Sequence, residues 1–412
     1  MKISSGKILT VFVLATLSGF FLATIIGLFL KADFTFSQIS LNKNHSGIPN
    51  QDEKLKDPDR TNILILGLRG KNDPNGGLLT DAILIVSIKK NQSITLISIP
   101  RDLFVRMPSV KNNQNKPAEW EKINYAYVLG EKIKPHQGGL LYAKAAVSKI
   151  TGLYLDYGVV VDFRIFRKVI QTLGGVDIYL SKPFTESHQW GYTFYLPAGQ
   201  NHLDAGKALY FARSRYSTSD FDRMKRQQQL ILAIKKKATS LGILANPAKL
   251  WKLMDILGKY VVTDIQSGDF TKLYSLYQSI KNKPVKKIVF DDSPNGALIS
   301  VFLRKVKNHL YGDVVKVERI RIKPETKSNS GNIKNSSSVS EALLLSVHNN
   351  STSSKNLENS STTSRFKEKR TILKSILVSS NGWSEQRNGA YILLPKRGNF
   401  DIIKHAIAGR KF

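Results

Sequence analysis

Hydrophobic residues first occur as one long uninterrupted run near the N-terminus. Residues 8–30 read ILTVFVLATLSGFFLATIIGLFL, which is about the length that a helix needs to span a bilayer. Lys2 and Lys7 precede the run, so the positive-inside rule places residues 1–7 in the cytoplasm and everything after Lys31 outside. A cleaved signal peptide is the alternative, but its apolar region is usually shorter and ends at a small-residue cleavage site. The pattern favours an uncleaved membrane anchor.

Beyond a predicted polar stalk at residues 31–60, short hydrophobic runs rich in β-branched residues predict strands. Two of these runs are separated only by Lys89-Lys90-Asn91-Gln92, a polar turn that favours a hairpin. An amphipathic helix pattern ends at Gly174-Gly175, between two strand patterns. The predicted strands are Asn62–Leu68, Ala82–Ile88, Ser93–Ile99, Gly158–Phe163 and Val176–Leu180, with the helix at Arg164–Leu173. This order predicts an α/β fold in which helices flank a mixed central sheet.

The second half of the chain is predicted to be helical at first and then to lose its hydrophobic pattern. Helices are predicted at Phe221–Ser240, Pro247–Tyr260 and Thr271–Lys281. Residues 323–366 are rich in Ser, Asn, Thr and Lys and predict a linker, because they cannot bury enough apolar surface to fold. The segment 367–412 is too short for its own core and is predicted to pack on the main domain at 61–322. Its candidate elements are strands at Ile372–Val378 and Ala390–Leu394 and a helix at Phe400–Ala408.

Charge and composition narrow the function classes. Lys and Arg number 62 against 31 Asp and Glu, so the formal net charge is +31 and an anionic partner is expected. Nucleic acid, a membrane surface and a phosphate-bearing substrate or wall polymer all fit. Nucleic acid is disfavoured, because the predicted topology places the chain outside the membrane and the sequence has neither zinc-finger spacing nor an aromatic single-strand platform. The absence of cysteine excludes disulfides, a thiolate nucleophile and a cysteine-based metal site.

Arginines concentrate in Ala212–Gln229, which reads ARSRYSTSDFDRMKRQQQ. If residues 208–216 end in extended chain, Arg213 and Arg215 project from one face, because side chains alternate along a strand. Together with arginines on the following helix, they would present fork-shaped donors that suit phosphate or pyrophosphate oxygens. The alternative is a solvated basic face, which is the commoner role of a charge run.

The predicted helix that begins at Phe221 carries a second arginine pair. Arg223 and Arg226 are three residues apart and Arg223 and Gln227 are four apart, so these side chains share one side of the helix. Lysines stand instead at residues 235–237, which is typical of a solvated end. This distribution favours an anion site over a solvated surface.

A second group of polar residues lies at predicted strand ends. Arg101 and Asp102 follow the strand that ends at Ile99, and strand ends are where open α/β sheets place ligands. They form either an ordinary turn or part of an anion site. Asp81 stands at the entry to a neighbouring strand and is either a structural salt-bridge partner or a metal ligand. Mg²⁺ binds phosphate substrates through one or two carboxylates plus substrate oxygens.

Four motifs occur in a fixed order across residues 61–237: SIPRDLFVRMP, KINYAYVLG, ITGLYLDYGVVVDFRIFRKVIQTLGGVDIYL and LPAGQNHLDAGKALYFARSRYSTSDFDRMKRQQQ. Together they resemble the LytR-CpsA-Psr family. The resemblance implies an α/β domain with a hydrophobic groove for a polyprenyl chain and an arginine-rich mouth for its pyrophosphate. It also implies transfer of a lipid-linked glycan polymer onto the cell wall, with Mg²⁺ as cofactor.

The resemblance assigns roles residue by residue. Arg101 matches the arginine of the family's PRD motif, with Asp102 beside it, and Arg213 and Arg215 match its RSR pair; these four are the predicted catalytic residues. Asp81 matches the magnesium-binding aspartate. The predicted substrate-binding residues, all in the last motif, are Asp220, Asp222, Arg223, Arg226, Gln227 and Gln228.

Two positions depart from the family pattern. The family carries an aspartate just after the first strand, where Arg69 or Gly70 stands here, and an arginine two residues before the metal aspartate, where Leu79 stands. Either Asp73 substitutes in the intervening loop, or the site binds Mg²⁺ more weakly and relies on the PRD motif.

These features predict a membrane-anchored enzyme: a phosphotransferase that moves a polyprenyl-pyrophosphate-linked glycan polymer onto peptidoglycan or another wall acceptor. The expected partners are the lipid-linked glycan, the wall acceptor and the membrane, without nucleic acid. The expected location is the cell membrane, with one membrane-spanning helix and the main domain extracytoplasmic. The alternative is a non-catalytic binder of polyprenyl pyrophosphate or anionic wall polymer, which the two departures motivate.

Overall fold

The computed structural model describes most of the chain between residues 47 and 321. The described ranges are 47–70, 77–110, 120–239, 261–292, 298–308, 312–321 and 389–395, with single positions elsewhere. The chain divides into two compact units. One contains residues 44–156 and 283–412 and is called the sheet unit; the other contains residues 1–43 and 157–282 and is called the RSR unit.

Several predicted segments lie outside the described residues. The predicted anchor at residues 8–30 is almost entirely among them, as are the predicted linker at 323–366 and the predicted strand at Ile372–Val378. Most of the predicted helices Pro247–Tyr260 and Phe400–Ala408 are among them too. Over the positions that are described, no helix is both long and apolar enough to cross a bilayer. The predicted anchor and domain boundaries therefore stay predictions.

The described chain contains both strands and helices. The strands are β1 (Arg60–Leu68), β2 (Thr80–Lys89), β3 (Ser93–Ser98), β4 (Phe104–Arg106), β5 (Trp120–Lys122), β6 (Tyr157–Asp162), β7 (Val176–Leu180), β8 (Phe184–Glu186), β9 (Phe194–Leu196), β10 (Gly199–Leu203), β11 (Val262–Thr263), β12 (Val285–Val289), β13 (Leu298–Asn308), β14 (Gly312–Arg321) and β15 (Gly389–Pro395). The helices with described bounds are α1 (Ala126–Ile133), α2 (Gly138–Thr151), α3 (Phe163–Leu173), α4 (Ala205–Arg213), α5 (Asp220–Thr239) and α6 (Phe270–Ile280). Every element predicted between residues 62 and 180 corresponds to one of these.

The sheet unit is built on four neighbouring strands in the order β1-β2-β3-β12. β2 pairs antiparallel with both β1 and β3, which confirms the predicted hairpin, and β12 pairs parallel with β3. Ile83, Leu84 and Ile85 are all buried, as expected for a central strand that is covered on both faces. Helices α1 and α2 pack against each other in the same unit. The prediction of a mixed sheet with helices in an α/β fold is confirmed.

A second sheet ties the C-terminal segment to the sheet unit. β13 pairs antiparallel with β14 and with β15, so the predicted strand Ala390–Leu394 is observed as β15. The backbone N–H of Leu393 donates a hydrogen bond to the carbonyl oxygen of Asp102 at 3.0 Å, and Leu393 also forms a bridge with Leu103. The described C-terminal strand therefore contacts the backbone of a predicted catalytic residue.

The RSR unit packs α3, α4 and α5 with two strand pairs, β7–β10 and β8–β9, around one apolar core. Asp162 caps α3 by accepting a hydrogen bond from the backbone N–H of Ile165 at 2.9 Å, and Gly174 ends this helix at φ +73°. The fully buried residues of this core include Ile170, Val176, Leu203, Ala208 and Phe211.

The prediction that residues 208–216 end in extended chain is wrong, because α4 occupies Ala205–Arg213. Asp204 caps this helix by accepting a hydrogen bond from the backbone N–H of Lys207 at 2.8 Å. Its inward positions, Ala208 and Phe211, are three residues apart, which is the spacing of a helix face. Arg213 is consequently the last residue of a helix, and the RSR arginines do not alternate along a strand.

Candidate functional site

Strand register brings Asp81 beside Arg101 in the sheet unit. β2 and β3 run antiparallel, with Leu84 opposite Ser98, so the start of β2 lies next to the end of β3. Arg101 Nη1 donates a hydrogen bond to Asp81 Oδ1. Both side chains are largely buried, with Asp81 17% and Arg101 12% exposed. The predicted metal aspartate and the PRD arginine are thus an ion pair.

Arg69 binds the second oxygen of the same carboxylate. The end of β1 lies beside the start of β2, with Leu68 opposite Thr80, and this register places Arg69 next to Asp81. Arg69 Nε donates a hydrogen bond to Asp81 Oδ2 at 2.8 Å. The sequence marked Arg69 only as a departure from a family pattern, whereas the structure places its guanidinium on the predicted metal ligand.

Asp102 has its own cationic partner in Lys122. Lys122 Nζ donates to Asp102 Oδ1 at 2.8 Å, and Arg101 Nε lies 3.5 Å from Asp102 Oδ2. Lys122 reaches this position because β5 pairs with β4, which places it opposite Phe104. In the sequence, Lys122 is marked only as the first residue of the KINYAYVLG motif. These residues form the PRD cluster: Arg69, Asp81, Arg101, Asp102 and Lys122.

The PRD cluster combines three cationic side chains with two carboxylates, so its formal charge is positive. Partly buried guanidinium groups in such a setting attract phosphate oxygens, because their charge is less screened than at the open surface. Among the described residues, no three His, Asp or Glu side chains are grouped so that they could hold a metal ion by themselves.

In the RSR unit, two aromatic rings hold Arg213. Its guanidinium carbon lies 4.5 Å from the centre of the Phe163 ring and 5.0 Å from that of Trp190. Cation–π contacts of this kind hold the guanidinium group in place. Trp190 is itself fixed, because its Nε1 donates a hydrogen bond to Ser214 Oγ at 3.1 Å.

Arg215 lies beyond the end of α4 and is tied to the start of α5. Its backbone N–H donates to Gln189 Oε1 at 2.9 Å, and its Nη1 lies 3.8 Å from Asp220 Oδ1. Asp220 Oδ1 also pairs with Arg223 Nη2 at 2.9 Å. Asp220 therefore links an arginine of the loop to an arginine of the helix.

Arg226 points into the RSR unit and is only 7% exposed. Its Nε donates to the carbonyl oxygen of Phe211 at 3.1 Å, and its Nη2 donates to the carbonyl oxygen of Ser214 and, at 3.2 Å, to Thr218 Oγ1. Burial lowers the pKa of Arg226 to about 10, so the group remains charged at neutral pH. Its donors hold the end of α4 and the loop that follows it.

Glu186 is a buried carboxylate that the sequence analysis missed. It is 0% exposed and accepts hydrogen bonds from the backbone N–H groups of His188, Tyr216 and Ser217 and from Ser217 Oγ at 2.7 Å. Burial alone would raise the pKa of Glu186, but these hydrogen bonds, led by those from Ser217, hold it below the usual range. The alternation of side chains along β8 could have indicated that Glu186 is buried, because Phe184 stands two residues earlier on the same side of the strand.

The remaining predicted substrate-binding residues lie along the first turns of α5. Asp222 and Ser219 cap the helix reciprocally, with Ser219 Oγ accepting from the Asp222 N–H at 3.0 Å and donating to Asp222 Oδ2 at 2.6 Å. Burial raises the pKa of Asp222, but the bond from Ser219 and other contacts outweigh it and keep the pKa below its usual range. Gln227 Nε2 donates to the carbonyl oxygen of Ala212 at 3.2 Å, and Gln228 is buried.

Comparison with known proteins matches residues 31–315 to a family model described as the LytR_cpsA_psr family. The chain belongs to this family. The family match includes every residue of the PRD cluster and every arginine of the RSR motif and α5, whereas β15 lies outside it.

Curated relatives in the family include two proteins named polyisoprenyl-teichoic acid–peptidoglycan teichoic acid transferase TagU. The protein of Oceanobacillus iheyensis is 30% identical over 230 residues, which are 55% of this chain and 66% of the relative. The protein of Bacillus cereus is 28% identical over 228 residues, which are 55% of this chain and 68% of the relative. The chain thus covers about two thirds of the length of these relatives.

Solved structures are also similar to this chain. The crystal structure of B. subtilis TagV matches with 26% identity and a TM-score of 0.44, covering 58% of this chain and 90% of that chain.

Proposed function

We propose that this protein is a membrane-anchored phosphotransferase that moves a polyprenyl-pyrophosphate-linked glycan polymer onto peptidoglycan or another cell-wall acceptor. Family membership supports this class of reaction, and the relatives' names point to a teichoic acid as the polymer. The observation that carries the proposal is the PRD cluster, in which Arg101 and two further cations surround partly buried carboxylates at the end of a sheet. The proposed location is the outer face of the cell membrane, where a lipid-linked donor is confined.

The proposed reaction is displacement at phosphorus. A hydroxyl oxygen of the acceptor attacks the sugar-linked phosphorus atom, the bridging P–O bond breaks, and polyprenyl phosphate leaves. Guanidinium groups of the PRD cluster neutralise charge on the phosphate oxygens, since phosphoryl transfer depends mainly on positioning and electrostatic stabilisation. The hydroxyl proton passes to a carboxylate, for which we propose Asp102 because it is more exposed than Asp81.

Mg²⁺ is part of the proposal, and the donor chemistry fits it. Asp81 offers carboxylate oxygens, which Mg²⁺ prefers, and substrate phosphate oxygens complete such sites. When bound, Mg²⁺ would supply positive charge beside the pyrophosphate. Because Asp81 Oδ2 accepts a hydrogen bond from Arg69 at 2.8 Å, a metal ion on this oxygen competes with the Arg69 guanidinium.

The same contact favours a second candidate function, a non-catalytic binder of polyprenyl pyrophosphate or anionic wall polymer. With Arg69 and Arg101 on its two oxygens, Asp81 serves as the centre of an anion-binding cluster that needs no metal. Such a protein would bind the lipid without releasing product.

A transfer assay separates these two functions. Full-length protein in detergent micelles is given a polyprenyl-pyrophosphoryl oligosaccharide and a glycan acceptor, with and without Mg²⁺, and release of polyprenyl phosphate is measured. We expect release to fall at least about tenfold in Arg101→Ala and in Arg213→Ala, because each change removes a guanidinium group that the family resemblance assigns to catalysis. Arg106→Ala, which removes an exposed arginine of β4, is the control and should retain release. Tight lipid binding without any release would select the binding function.

Arg69→Ala is expected to raise the affinity of the full-length protein for divalent cations about fivefold, because the competitor for Asp81 Oδ2 is removed. Titration with Mn²⁺, followed by electron paramagnetic resonance, measures this affinity without requiring turnover. Arg106→Ala is again the matched control, since it removes one arginine charge from the same unit. Equal Mn²⁺ affinities in all three proteins would show that Arg69 does not compete with the metal.

A further inference from the structure

A groove of about 870 Å³ opens in the RSR unit, and its lining includes neither Arg213 nor Arg215. Helix α3 forms one wall, and the Gly174-Gly175 turn and the start of α4 form the rest. This volume lies within the usual range of ligand sites.

The wall formed by α3 is basic. Arg164, Arg167, Lys168 and Gln171 line the groove and recur at the spacing of one helix face, while Ile165 and Ile170 are buried on the other side. Arg164 is paired with Asp162 at 2.8 Å. Since Arg167 and Lys168 are adjacent in the chain and both exposed, they place two positive charges side by side along the groove.

The opposite side of the groove adds hydrogen-bonding groups and little negative charge. Asp204 is the carboxylate in its lining, and this side chain caps α4 by accepting from the backbone N–H of Lys207. A second carboxylate, that of Asp177, lies 2.7 Å from His202 Nδ1. His202 lines the groove beside Gly175, where a Cβ atom would lie 2.4 Å from His202 Nε2. Gly175 also has φ +87°. A larger residue here would both clash with His202 and strain the backbone, so glycine keeps this part of the groove open.

One aromatic side chain of the groove also contacts Arg213. Phe163, the first residue of α3, lines the groove, and its ring centre lies 4.5 Å from the guanidinium carbon of Arg213. A ligand with one phosphate at Arg213 would therefore extend along α3 past Arg167 and Lys168.

We propose that this groove binds the phosphate-bearing glycan polymer of the donor, next to its pyrophosphate. Phosphodiester groups pair with Arg167 and Lys168, and hydroxyl groups contact Gln171 and His202. The volume and direction of the groove suit an extended polymer. Its positive charge favours binding of a polymer with repeating anionic groups over binding of a neutral one. This inference rests on the proposed function for the identity of the ligand, because the groove by itself specifies an anionic polyhydroxy chain.

The test measures polymer binding without lipid or transfer. Full-length protein in neutral detergent is titrated with fluorescent oligo(glycerol phosphate), and a neutral chito-oligosaccharide of similar length serves as the second probe. We expect the double variant Arg167→Gln/Lys168→Gln to bind oligo(glycerol phosphate) about tenfold more weakly, with a smaller salt dependence. The control variant Lys182→Gln/Lys236→Gln loses the same charge from exposed sites of the same unit and should bind as the unchanged protein does.

Three results would overturn the proposal. Equal binding by the groove variant and the control variant would show that net charge, rather than the groove, attracts the polymer. Equal affinity for the neutral probe would remove the phosphate requirement. In a separate measurement with vesicles of phosphatidylglycerol, weaker vesicle binding by the groove variant, with its polymer binding unchanged, would assign these residues to the membrane surface. Because the transfer assay uses other variants, failure of the proposed function is seen separately from failure of this inference.

Discussion

Glu186→Ala is expected to lower the free energy of unfolding by about 3 kcal/mol and to abolish the order of the RSR motif. The side chain is fully buried and accepts hydrogen bonds from three backbone N–H groups and one hydroxyl. Alanine leaves these donors without an acceptor in the interior, and each unpaired group is costly. Two of the N–H groups belong to Tyr216 and Ser217, directly after Arg215, so the arginine loses its fixed position.

Chemical denaturation of Glu186→Ala and Glu186→Gln at several pH values measures this effect. Glutamine keeps the shape but loses the charge, and we expect about half of the destabilisation at pH 7. Since the folded-state pKa of Glu186 is depressed, its contribution is fully present above the unfolded-state pKa and is lost as the pH falls through the folded-state value. The difference between the unchanged protein and Glu186→Gln should therefore shrink below about pH 4. A difference that does not vary with pH would contradict the role of the charge.

Arg226→Met is expected to cost a similar amount, about 3 kcal/mol, although Arg226 is predicted from the sequence to bind substrate. Methionine fills much of the volume but leaves the carbonyl oxygens of Phe211 and Ser214 without their donor. It also removes the cation–π contact with Phe184, whose ring centre lies 4.7 Å from the guanidinium carbon. The loop between α4 and α5 would then lose its anchor.

Arg226→Lys separates charge from geometry in the same denaturation measurement. Lysine retains the positive charge but lacks the planar fork, so it cannot serve the same set of acceptors at once. We expect a loss of about 1.5 kcal/mol. Lys225→Met, at the neighbouring exposed position of α5, is the control and should change stability by less than about 0.5 kcal/mol. If Arg226→Met is as stable as this control, Arg226 does not organise the loop.

The prediction of local elements succeeded where a single periodicity dominated. The alternating or continuous apolar runs of β1, β2 and β3 and the helical spacing of α3 are properties of neighbouring residues, so the sequence is sufficient to assign them. The sequence was insufficient to assign helix α4. That helix is short and offers only Ala208 and Phe211 as buried positions, and its cap at Asp204 was not recognised as the start of a helix.

The sequence by itself determined that arginines are concentrated in the PRD and RSR motifs, because these motifs and the charge of +31 are present in the order of residues. Only the tertiary structure decided their partners. Asp81 binds Arg69 and Arg101, which are 12 and 20 residues away, and Glu186 binds Ser217, which is 31 residues away. Such pairings depend on strand register and on the packing of distant segments, since the interaction between two charges is set by their separation in space rather than along the chain.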